Sequence, residues 1–104
     1  MQGEVLKGHL DLLLLATVGE EPAHGYLVVE RLRERSGGVL ELAEGTIYPA
    51  LYRLERQGLL GSAWATVGGR RRRVYRLTRR GRTRLEAKRE EWRTFSTAVQ
   101  AVVA

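Results

Sequence analysis

The apolar positions near the start of the chain predict a helix of about three turns from His9 to Val18. One face of this helix would carry Leu10, Leu13, Leu14 and the Thr17 methyl group. Because Leu12 and Leu15 fall on other faces, we expect the helix to be covered on two sides, by its own domain and by a partner subunit. Gly19 and Pro22 mark the turn that ends it.

A second helix is predicted from about Gly25 to Ser36. The inward positions of this helix would be Tyr26, Val29 and Leu32. The charged residues between them alternate in sign, as on a solvated face. Gly37 and Gly38 end the helix, and residues 39–42 are expected to form a brief extended segment. Two helices flanking such a segment predict a helix-turn-helix core.

The third helix is the element around which the chain is organised. Pro49 has no N–H group, so we expect it in the first helical turn, with Thr46 as the N-cap. Gly58 can adopt the left-handed conformation that closes the helix, and Leu59 can then pack back on Leu54. The sequence therefore predicts about three helical turns between Thr46 and Gly58.

The two sides of this third helix differ in chemistry. Ile47, Leu51 and Leu54, with Ala50 beside them, recur at helical spacing and are expected to face the core. The opposite side would present Tyr48, Tyr52, Arg53 and Arg56. Hydroxyl groups, aromatic rings and guanidinium groups suit a nucleic-acid groove. The alternative is an ordinary exposed face, because such residues are common on soluble helices.

A β-hairpin follows. Residues 62–66 are strand-like, residues 67–70 contain two glycines and predict a turn, and residues 71–77 predict a second strand. On the second strand, Arg71, Arg73, Tyr75 and Leu77 share one face, and Arg72, Val74 and Arg76 share the other. A DNA-binding wing requires such guanidinium groups, because contacts to phosphate set its register. Arginines that merely protect the edges of a short hairpin are the alternative.

The last helix is predicted from Arg79 to about Val102, with Thr78 as its cap. Its apolar residues follow a heptad pattern, in which Leu85, Trp92 and Val99 form one series and Lys88, Phe95 and Val102 the other. A helix this long cannot bury that seam within so small a domain. We therefore expect it to pack against a second copy of the chain, with packing across the first helix covering part of the seam.

The charge of the chain favours a polyanionic partner. The formal net charge is +6 over 104 residues, and the sequence pI is about 10.5. Nine arginines lie between residues 70 and 84 with no acidic residue among them, while the remainder of the chain is net negative. A genome rich in G and C would explain the preference for arginine over lysine, but it would not explain the clustering.

Enzymatic and metal-binding chemistry finds no support in the sequence. Cysteine is absent, which fits a reducing cytoplasm, and the two histidines, His9 and His24, lack the spacing of a metal site. His24 is expected to fix the turn before the second helix. No phosphate loop and no nucleophile with an adjacent base is visible, so we expect no enzyme and no cofactor. The apolar run from Leu12 to Val18 is too short to span a membrane, and the residues before it do not suit a signal peptide.

Three motifs closely resemble those of the PadR family of bacterial transcriptional regulators. The third helix reads G-T-I-Y-P-A-L-Y-R-L-E-x-x-G-L-L, like the recognition-helix segment of that family. His24-Gly25-Tyr26 resembles the H-G-Y at the start of the family's second helix. Residues 74–78 followed by Gly81 resemble the Y-x-L-T-x-x-G that follows the wing. The motifs occur in the family's order and span most of the chain.

This resemblance implies a dimeric winged helix-turn-helix protein, mainly α with a small β-hairpin, whose C-terminal helix mediates dimerisation. We expect one structural unit, with a DNA-binding part at residues 1–77 and a dimerisation helix at residues 78–104. It would be the small form of the family, without an additional C-terminal domain. The implied function is that of a cytoplasmic, nucleoid-associated repressor on a pseudo-palindromic operator. A winged-helix protein-interaction module without specific DNA binding is the alternative.

Three sets of candidate site residues follow from these patterns. The DNA-binding set is Thr46, Tyr48, Pro49, Tyr52, Arg53, Arg56, Arg70, Arg71, Arg72 and Arg73. The dimerisation set is Leu10, Leu14, Leu85, Trp92, Phe95, Val99 and Val102. Some small PadR-like regulators bind flat aromatic compounds at the dimer centre, so Trp92 and Phe95 are also candidates for binding a small planar effector, with simple packing as the alternative. The nearby Lys88 argues against a cationic ligand.

Overall fold

The computed structural model describes residues 4–104 of the chain. Seven elements follow one another: α1 (Glu4–Lys7), α2 (Leu10–Glu20), α3 (Gly25–Arg35), α4 (Glu44–Arg56), β1 (Leu60–Val67), β2 (Arg70–Leu77) and α5 (Arg79–Val103). The described part is therefore mostly helical with a two-stranded antiparallel hairpin, as the sequence predicted.

The core lies where α2 meets α3, α4, β2 and the start of α5. Leu14, Leu15 and Val18 of α2 are fully buried there. The Thr17 hydroxyl donates to the Leu13 carbonyl at 2.7 Å, which satisfies it inside the helix. The sequence predicts Leu15 on a different face of α2 from the main apolar stripe. Its burial agrees with the expectation that α2 is covered on more than one side, and elements of the same chain provide that cover.

Helix α3 begins at Gly25, as predicted, but its inward face differs from the prediction. Tyr26 is 47% exposed, and Val28 is buried together with Val29 and Leu32. Tyr26 stands in the first turn of α3, where its ring stacks on His24 at 6.4 Å, beyond the reach of the core. The segment predicted to be extended, residues 39–42, contains no strand.

Helix α4 begins three residues earlier than predicted. Its first residue is Glu44, and Ala43 is an N-cap without a side-chain hydrogen bond, so the assignment of Thr46 as N-cap was wrong. Pro49 consequently lies in the second turn of the helix. It costs α4 one hydrogen bond, to the Gly45 carbonyl. Gly45 and Pro49 are both exposed, so water can take the place of the missing donor.

The C-terminal end of α4 has the predicted geometry. Gly58 has a φ of 78°, in the left-handed region. The Leu59 N–H donates to the Leu54 carbonyl at 3.0 Å, and the Gly58 N–H donates to the Glu55 carbonyl at 2.9 Å. These are the two hydrogen bonds of a Schellman motif. The chain is thereby turned directly from α4 into the first strand.

The hairpin pairs Leu60 with Leu77 at its base and Val67 with Arg70 at its tip. Gly68 and Gly69 form the two-residue turn, with φ values of 59° and 79°. Positive φ at both positions is what a tight hairpin with native twist requires. The predicted hairpin is confirmed. β1 begins two residues earlier than predicted and ends one residue later, and β2 begins one residue earlier than predicted.

A single residue of the loop before α3 also pairs with β2, through an isolated antiparallel bridge. The Ala23 N–H donates to the Tyr75 carbonyl at 3.0 Å, and the Tyr75 N–H donates to the Ala23 carbonyl at 2.9 Å. This antiparallel bridge attaches the loop before α3 to the hairpin. The wing and the helix-turn-helix core are thus joined by backbone hydrogen bonds as well as by side-chain packing.

Helix α5 is joined to the end of α4 by a compact junction. The Thr78 hydroxyl accepts from the Gly81 N–H at 3.0 Å, which confirms Thr78 as the N-cap, and lies 2.7 Å from the Gly58 carbonyl oxygen. A β-carbon at Gly81 would overlap the Leu59 carbonyl oxygen and would lie 2.7 Å from a methyl group of Leu77. Only glycine lets α5 approach this closely. Beyond the buried Leu85, α5 continues with its side chains largely exposed.

Candidate nucleic-acid interface

Helix α4 buries one face and presents the other. Ile47, Leu51 and Leu54 are fully buried and Ala50 is 5% exposed, as the apolar spacing predicted. The residues of the predicted DNA-binding set on this helix are all exposed; they are Thr46, Tyr48, Pro49, Tyr52, Arg53 and Arg56. Tyr52 is the most open of the aromatic pair at 58%, against 42% for Tyr48. The outer face of α4 therefore offers two phenols and the Arg56 guanidinium to a ligand.

Tyr48 is held at the start of α3. Its ring lies so close to Gly25 that a β-carbon at that position would lie 2.6 Å from Cζ and 2.9 Å from the hydroxyl oxygen. Any larger residue at 25 would displace the ring. The glycine of the H-G-Y motif thus has a direct role in setting the position of a residue on the exposed face of α4.

Arg53 is engaged by a carboxylate from α2. Its Nη2 lies 2.6 Å from Asp11 Oδ1, and its Nη1 lies 3.2 Å from Asp11 Oδ2. This hydrogen-bonded pairing raises the pKa of Arg53 above its usual value. The sequence did not predict this partner, because the two residues are 42 positions apart.

The hairpin presents its arginines unevenly. Among the described residues, no carboxylate lies within 4 Å of Arg70, Arg71 or Arg72, whereas Arg73 lies 3.5 Å from Glu55. Arg71 and Arg73 are placed over the exposed ring of Trp64, at 5.7 and 5.6 Å from its centroid. Such cation–π contacts restrain long side chains that would otherwise be free. The sequence pattern did not identify Trp64 as a site residue, although its position opposite Arg73 in the predicted hairpin was a signal for it.

Glu55 ties the hairpin to the recognition helix. Its Oε2 accepts from the Ser62 hydroxyl at 2.6 Å and lies 3.5 Å from Arg73 Nη2. The buried phenol of Tyr75 lies nearby; burial raises its pKa, and the Glu55 carboxylate adds to the rise. The wing is therefore fixed to the last turns of α4 by a small polar cluster and does not move as an independent arm.

The start of α3 lies between α4 and the wing. The guanidinium of Arg72 is 6.0 Å from the centre of the Tyr26 ring, and the His24 ring stacks on the same tyrosine. Burial lowers the pKa of His24, and the nearby Arg72 lowers it further. Tyr48 touches Gly25 and Tyr26 meets Arg72, so α4, α3 and β2 form one continuous surface.

The dimerisation set divides into two groups. Leu14 and Leu85 are 0% and 1% exposed, in the core of the single chain, and Leu10 is partly buried against that core. The other members are exposed along α5: Trp92, Phe95, Val99 and Val102. A heptad repeat does not distinguish contacts within a chain from contacts between chains, which is why the sequence placed Leu85 with the exposed residues of α5. The open apolar stripe is confined to the second half of α5.

Trp92 and Phe95 border a groove between α5 and the start of α2. The groove has a volume of about 310 Å³, and its lining consists of Gly8, His9, Leu12, Lys88, Glu91, Trp92 and Phe95. His9 meets the Trp92 ring edge-on at 5.0 Å between centroids, and Phe95 lies 6.3 Å from Trp92. The lining contains one cationic and one anionic side chain besides the aromatic rings. An amphipathic planar molecule has suitable contacts in such a site.

Other chemistries are not represented in the described part of the chain. In residues 4–104, no group of three or more histidine, aspartate or glutamate side chains is arranged to hold a metal ion. Within the same residues, no helix has both the length and the apolar character needed to cross a membrane.

A helix pair followed by a recognition helix and a two-stranded wing defines a winged helix-turn-helix DNA-binding protein. The family model of the PadR-like transcriptional regulators matches residues 14–87. The chain therefore belongs to the PadR family, whose members are transcriptional regulators that bind DNA and are not enzymes.

Individual proteins support this membership. Transcriptional regulator Rv3488 from Mycobacterium tuberculosis is 39% identical over 82 residues, covering 79% of this chain and 74% of the relative. A PadR family regulator from Clostridium difficile has a solved structure with a TM-score of 0.82 at 32% identity, covering 93% of this chain and 100% of the other. The solved structure of a transcriptional regulator from Clostridium thermocellum has a TM-score of 0.89 at 27% identity. The match covers 98% of this chain and 100% of the other.

Proposed function

We propose that this PadR-family regulator is a repressor that binds a pseudo-palindromic operator as a homodimer and is released by a small planar effector. The observation that carries the DNA-binding part is the continuous surface formed by α4, the start of α3 and β2. Tyr48, Tyr52 and Arg56 point outward on its helical part, and Arg70 to Arg72 have no acidic partner among the described residues. Aromatic and guanidinium groups in this arrangement suit a major groove flanked by phosphates.

The two parts of this surface have different tasks. On α4, Tyr48, Tyr52 and Arg56 meet base edges and adjacent phosphates. The arginines of the hairpin bind phosphate and set the register of the protein on the duplex. Thr46 and Pro49 lie on the same exposed face and form its edge. Tyr26 and Trp64 join the proposed surface through their contacts with the wing arginines.

The dimer is formed through α5. Four exposed apolar residues lie along the second half of this helix: Trp92, Phe95, Val99 and Val102. A contiguous apolar stripe of this kind suits a protein–protein contact. Pairing two such stripes about a two-fold axis would bury them and would duplicate the DNA-binding surface. The operator then has two half-sites about one or two helical turns apart, each turn on the order of 34 Å. Residues 1–77 act as the DNA-binding part and residues 78–104 as the dimerisation helix.

The effector site is the groove beside Trp92. Two copies of the groove lie near the dimer axis if the stripes of α5 pair, so a compound bound there contacts the elements that set the spacing of the two recognition helices. The protein acts in the cytoplasm, on the nucleoid, since that is where its operator lies.

A mobility-shift comparison tests the proposal. The DNA immediately upstream of the protein's own gene is titrated beside a fragment of equal length from within the coding region, at fixed salt. We expect the upstream fragment to bind tighter by about a thousandfold or more, the usual ratio of specific to non-specific binding. Equal affinity for both fragments would contradict an operator there. Absence of any shift would favour a protein-interaction module. A reporter under the same upstream region should be silenced by the protein.

A further inference from the structure

Arg53 stands on the exposed face of α4, yet its guanidinium group is already occupied. Both terminal nitrogens bond to the two carboxylate oxygens of Asp11, at 2.6 and 3.2 Å. A bidentate pair of this kind fixes direction as well as distance, because two parallel hydrogen bonds hold two planar groups together. The pair joins the first turn of α2 to the last turn of α4.

The pair is favoured by the helices that carry it. Asp11 lies at the N-terminal end of α2, and Arg53 lies near the C-terminal end of α4, so each charge has the sign that its helix dipole prefers. Asp11 is the less exposed partner, with 28% of its side chain accessible against 46% for Arg53. The contact is therefore partly shielded from water and from salt.

Base reading by Arg53 would require this pair to break. The released Asp11 carboxylate would then be a negative charge without a counter-charge beside the recognition helix, and like charges near an interface weaken binding to the DNA phosphates. Keeping the pair intact avoids that repulsion and leaves the outer face of α4 to Tyr48, Tyr52 and Arg56.

We propose that Arg53 is a positioning residue, which sets the orientation of the recognition helix through Asp11 and does not read bases. This inference rests on the proposed DNA-binding function of α4. It assigns operator discrimination on this helix to Tyr48, Tyr52 and Arg56, and it makes Asp11, which lies outside the DNA-contacting surface, necessary for specific binding.

The location of Asp11 also connects the recognition helix with the groove. Leu12, the next residue, lines the groove, and His9, two residues before it, meets Trp92 at 5.0 Å. His9, the residue before α2, thus contacts Trp92, and Asp11 in the first turn of α2 holds Arg53. A shift of this turn, caused by an occupant of the groove, would reach α4 through the Asp11–Arg53 pair as well as through the packed core.

The decisive variant is Asp11→Asn. The hypothesis that Asp11 only competes with DNA for Arg53 and the hypothesis that it positions α4 predict opposite changes in DNA affinity. Removing a negative charge should tighten DNA binding if Asp11 only competes with DNA for Arg53. If the pair positions α4, the same change should weaken operator binding by about two- to fivefold, the upper range of the effect expected from losing an ion pair of this exposure. Arg53→Gln should weaken operator binding by a similar factor. The double variant, Asp11→Asn with Arg53→Gln, should bind the operator no more weakly than Arg53→Gln alone. Arg53→Lys should bind the operator more tightly than Arg53→Gln.

Affinities are measured for the operator fragment and for a random fragment of equal length. The matched control is the double variant Glu20→Gln with Arg35→Gln, which removes another exposed ion pair of α2, at 2.9 Å to α3, and should leave operator affinity unchanged. Circular dichroism establishes that all variants are folded. Operator binding by Asp11→Asn that equals or exceeds that of the wild type, or additive losses in the double variant, would overturn the proposal.

A second measurement separates failure of this proposal from failure of the proposed function. Backbone amide exchange over residues 44–56 should accelerate equally in Asp11→Asn and in Arg53→Gln, and should not change in the control variant. This readout does not depend on DNA. If the wild type does not distinguish operator from random DNA, the proposed function fails, while unchanged exchange in both variants overturns the positioning role by itself.

Discussion

The ring of Tyr48 lies directly against the backbone of Gly25, with no room for a β-carbon between them. The contact joins the first residue of α3 to the exposed face of α4, and the atoms in the way belong to the outer end of a side chain that can rotate. Gly25→Ala should therefore displace the Tyr48 ring without disturbing the core. A substitution at Gly25 thus acts on the recognition surface more than on the fold.

We expect Gly25→Ala to change the free energy of unfolding by less than about 1 kcal/mol, because the added methyl group also restricts the unfolded chain. Operator affinity should fall by about 1 to 3 kcal/mol, the size of one lost base contact. Chemical denaturation and mobility shift measure the two quantities. Gly8→Ala is the control, since no atom lies within 4 Å of its β-carbon position. A loss of stability as large as the loss of affinity would show that Tyr48 is structural.

A substitution at Gly81 should instead lower the stability of the fold, because the atoms closest to its β-carbon position belong to the backbone of Leu59. A β-carbon there would overlap the Leu59 carbonyl oxygen and would lie 2.9 Å from the Leu59 carbonyl carbon. Gly81→Ala must separate α5 from the end of α4, and we expect a loss of at least about 1 to 3 kcal/mol in the free energy of unfolding. Gly45→Ala, which has no neighbour within 4 Å and lies in a helix, should gain up to about 1 kcal/mol. Equal stability of both variants in urea would refute this account of the junction.

The hairpin arginines should act mainly through phosphate. Arg70→Gln with Arg71→Gln removes two guanidinium groups that have no carboxylate partner among the described residues. The slope of log Kd against log salt should fall by about two, because each phosphate contact contributes about 0.9. The affinity for operator and random DNA should fall by similar factors.

The control for the hairpin experiment makes the same change of net charge elsewhere. Arg89 and Arg93 lie on α5 and pair with Glu86 and Glu90 at 2.6 and 2.9 Å. Neutralising both should leave the salt slope unchanged. If this control flattens the slope as much as the hairpin variant does, net charge and not the wing determines binding.

Local signals in the sequence were sufficient for the ends of several elements. Gly58, the glycine pair at 68 and 69, and Thr78 each have a distinct backbone or capping requirement, and the structure confirms each one. The start of α4 was wrong because Pro49 was restricted to the first helical turn, whereas the exposed second turn tolerates the lost hydrogen bond.

Contacts between distant residues could not be predicted in the same way. Asp11 and Arg53 meet only once α2 and α4 have packed, and nothing in either local pattern identifies the other residue. The heptad series placed Leu85 with Trp92 and Val99, although Leu85 is buried within the chain and Trp92 is not. Periodicity identifies which residues share a helix face. Which of those residues are buried depends on how far the other elements of the chain extend along the helix.

The exposed stripe of α5 should control assembly. Phe95→Glu with Val99→Glu places two carboxylates where we propose that two copies meet, and burying unpaired charge is strongly unfavourable. Sedimentation velocity should show conversion to monomer at micromolar concentration. Thr94→Glu with Thr97→Glu is the control on another side of the same helix and should remain dimeric. A dimer that persists in the Phe95 and Val99 variant would place the interface elsewhere on the molecule.

The groove beside Trp92 should bind planar compounds. The ring of Trp92 is 43% exposed and has His9 and Phe95 as aromatic neighbours, so a flat molecule has rings to stack on. Lys88 alone argued against a cationic ligand, but Glu91 also lines the groove and offsets that charge. We therefore expect both neutral and cationic dyes to bind, with cations losing affinity in Glu91→Gln.

Tryptophan fluorescence tests this groove, since Trp64 and Trp92 are the two tryptophans of the chain. Planar dyes should quench the fluorescence of the wild type and of Trp64→Phe. They should quench the fluorescence of Trp92→Phe much less, because the remaining Trp64 lies on the hairpin, away from the groove. Sedimentation must first show that Trp92→Phe is still a dimer. A dye that binds in the groove should also release the operator in a mobility shift, and the release should be lost with Trp92→Phe. Equal quenching of both single variants would leave Trp92 with a packing role only.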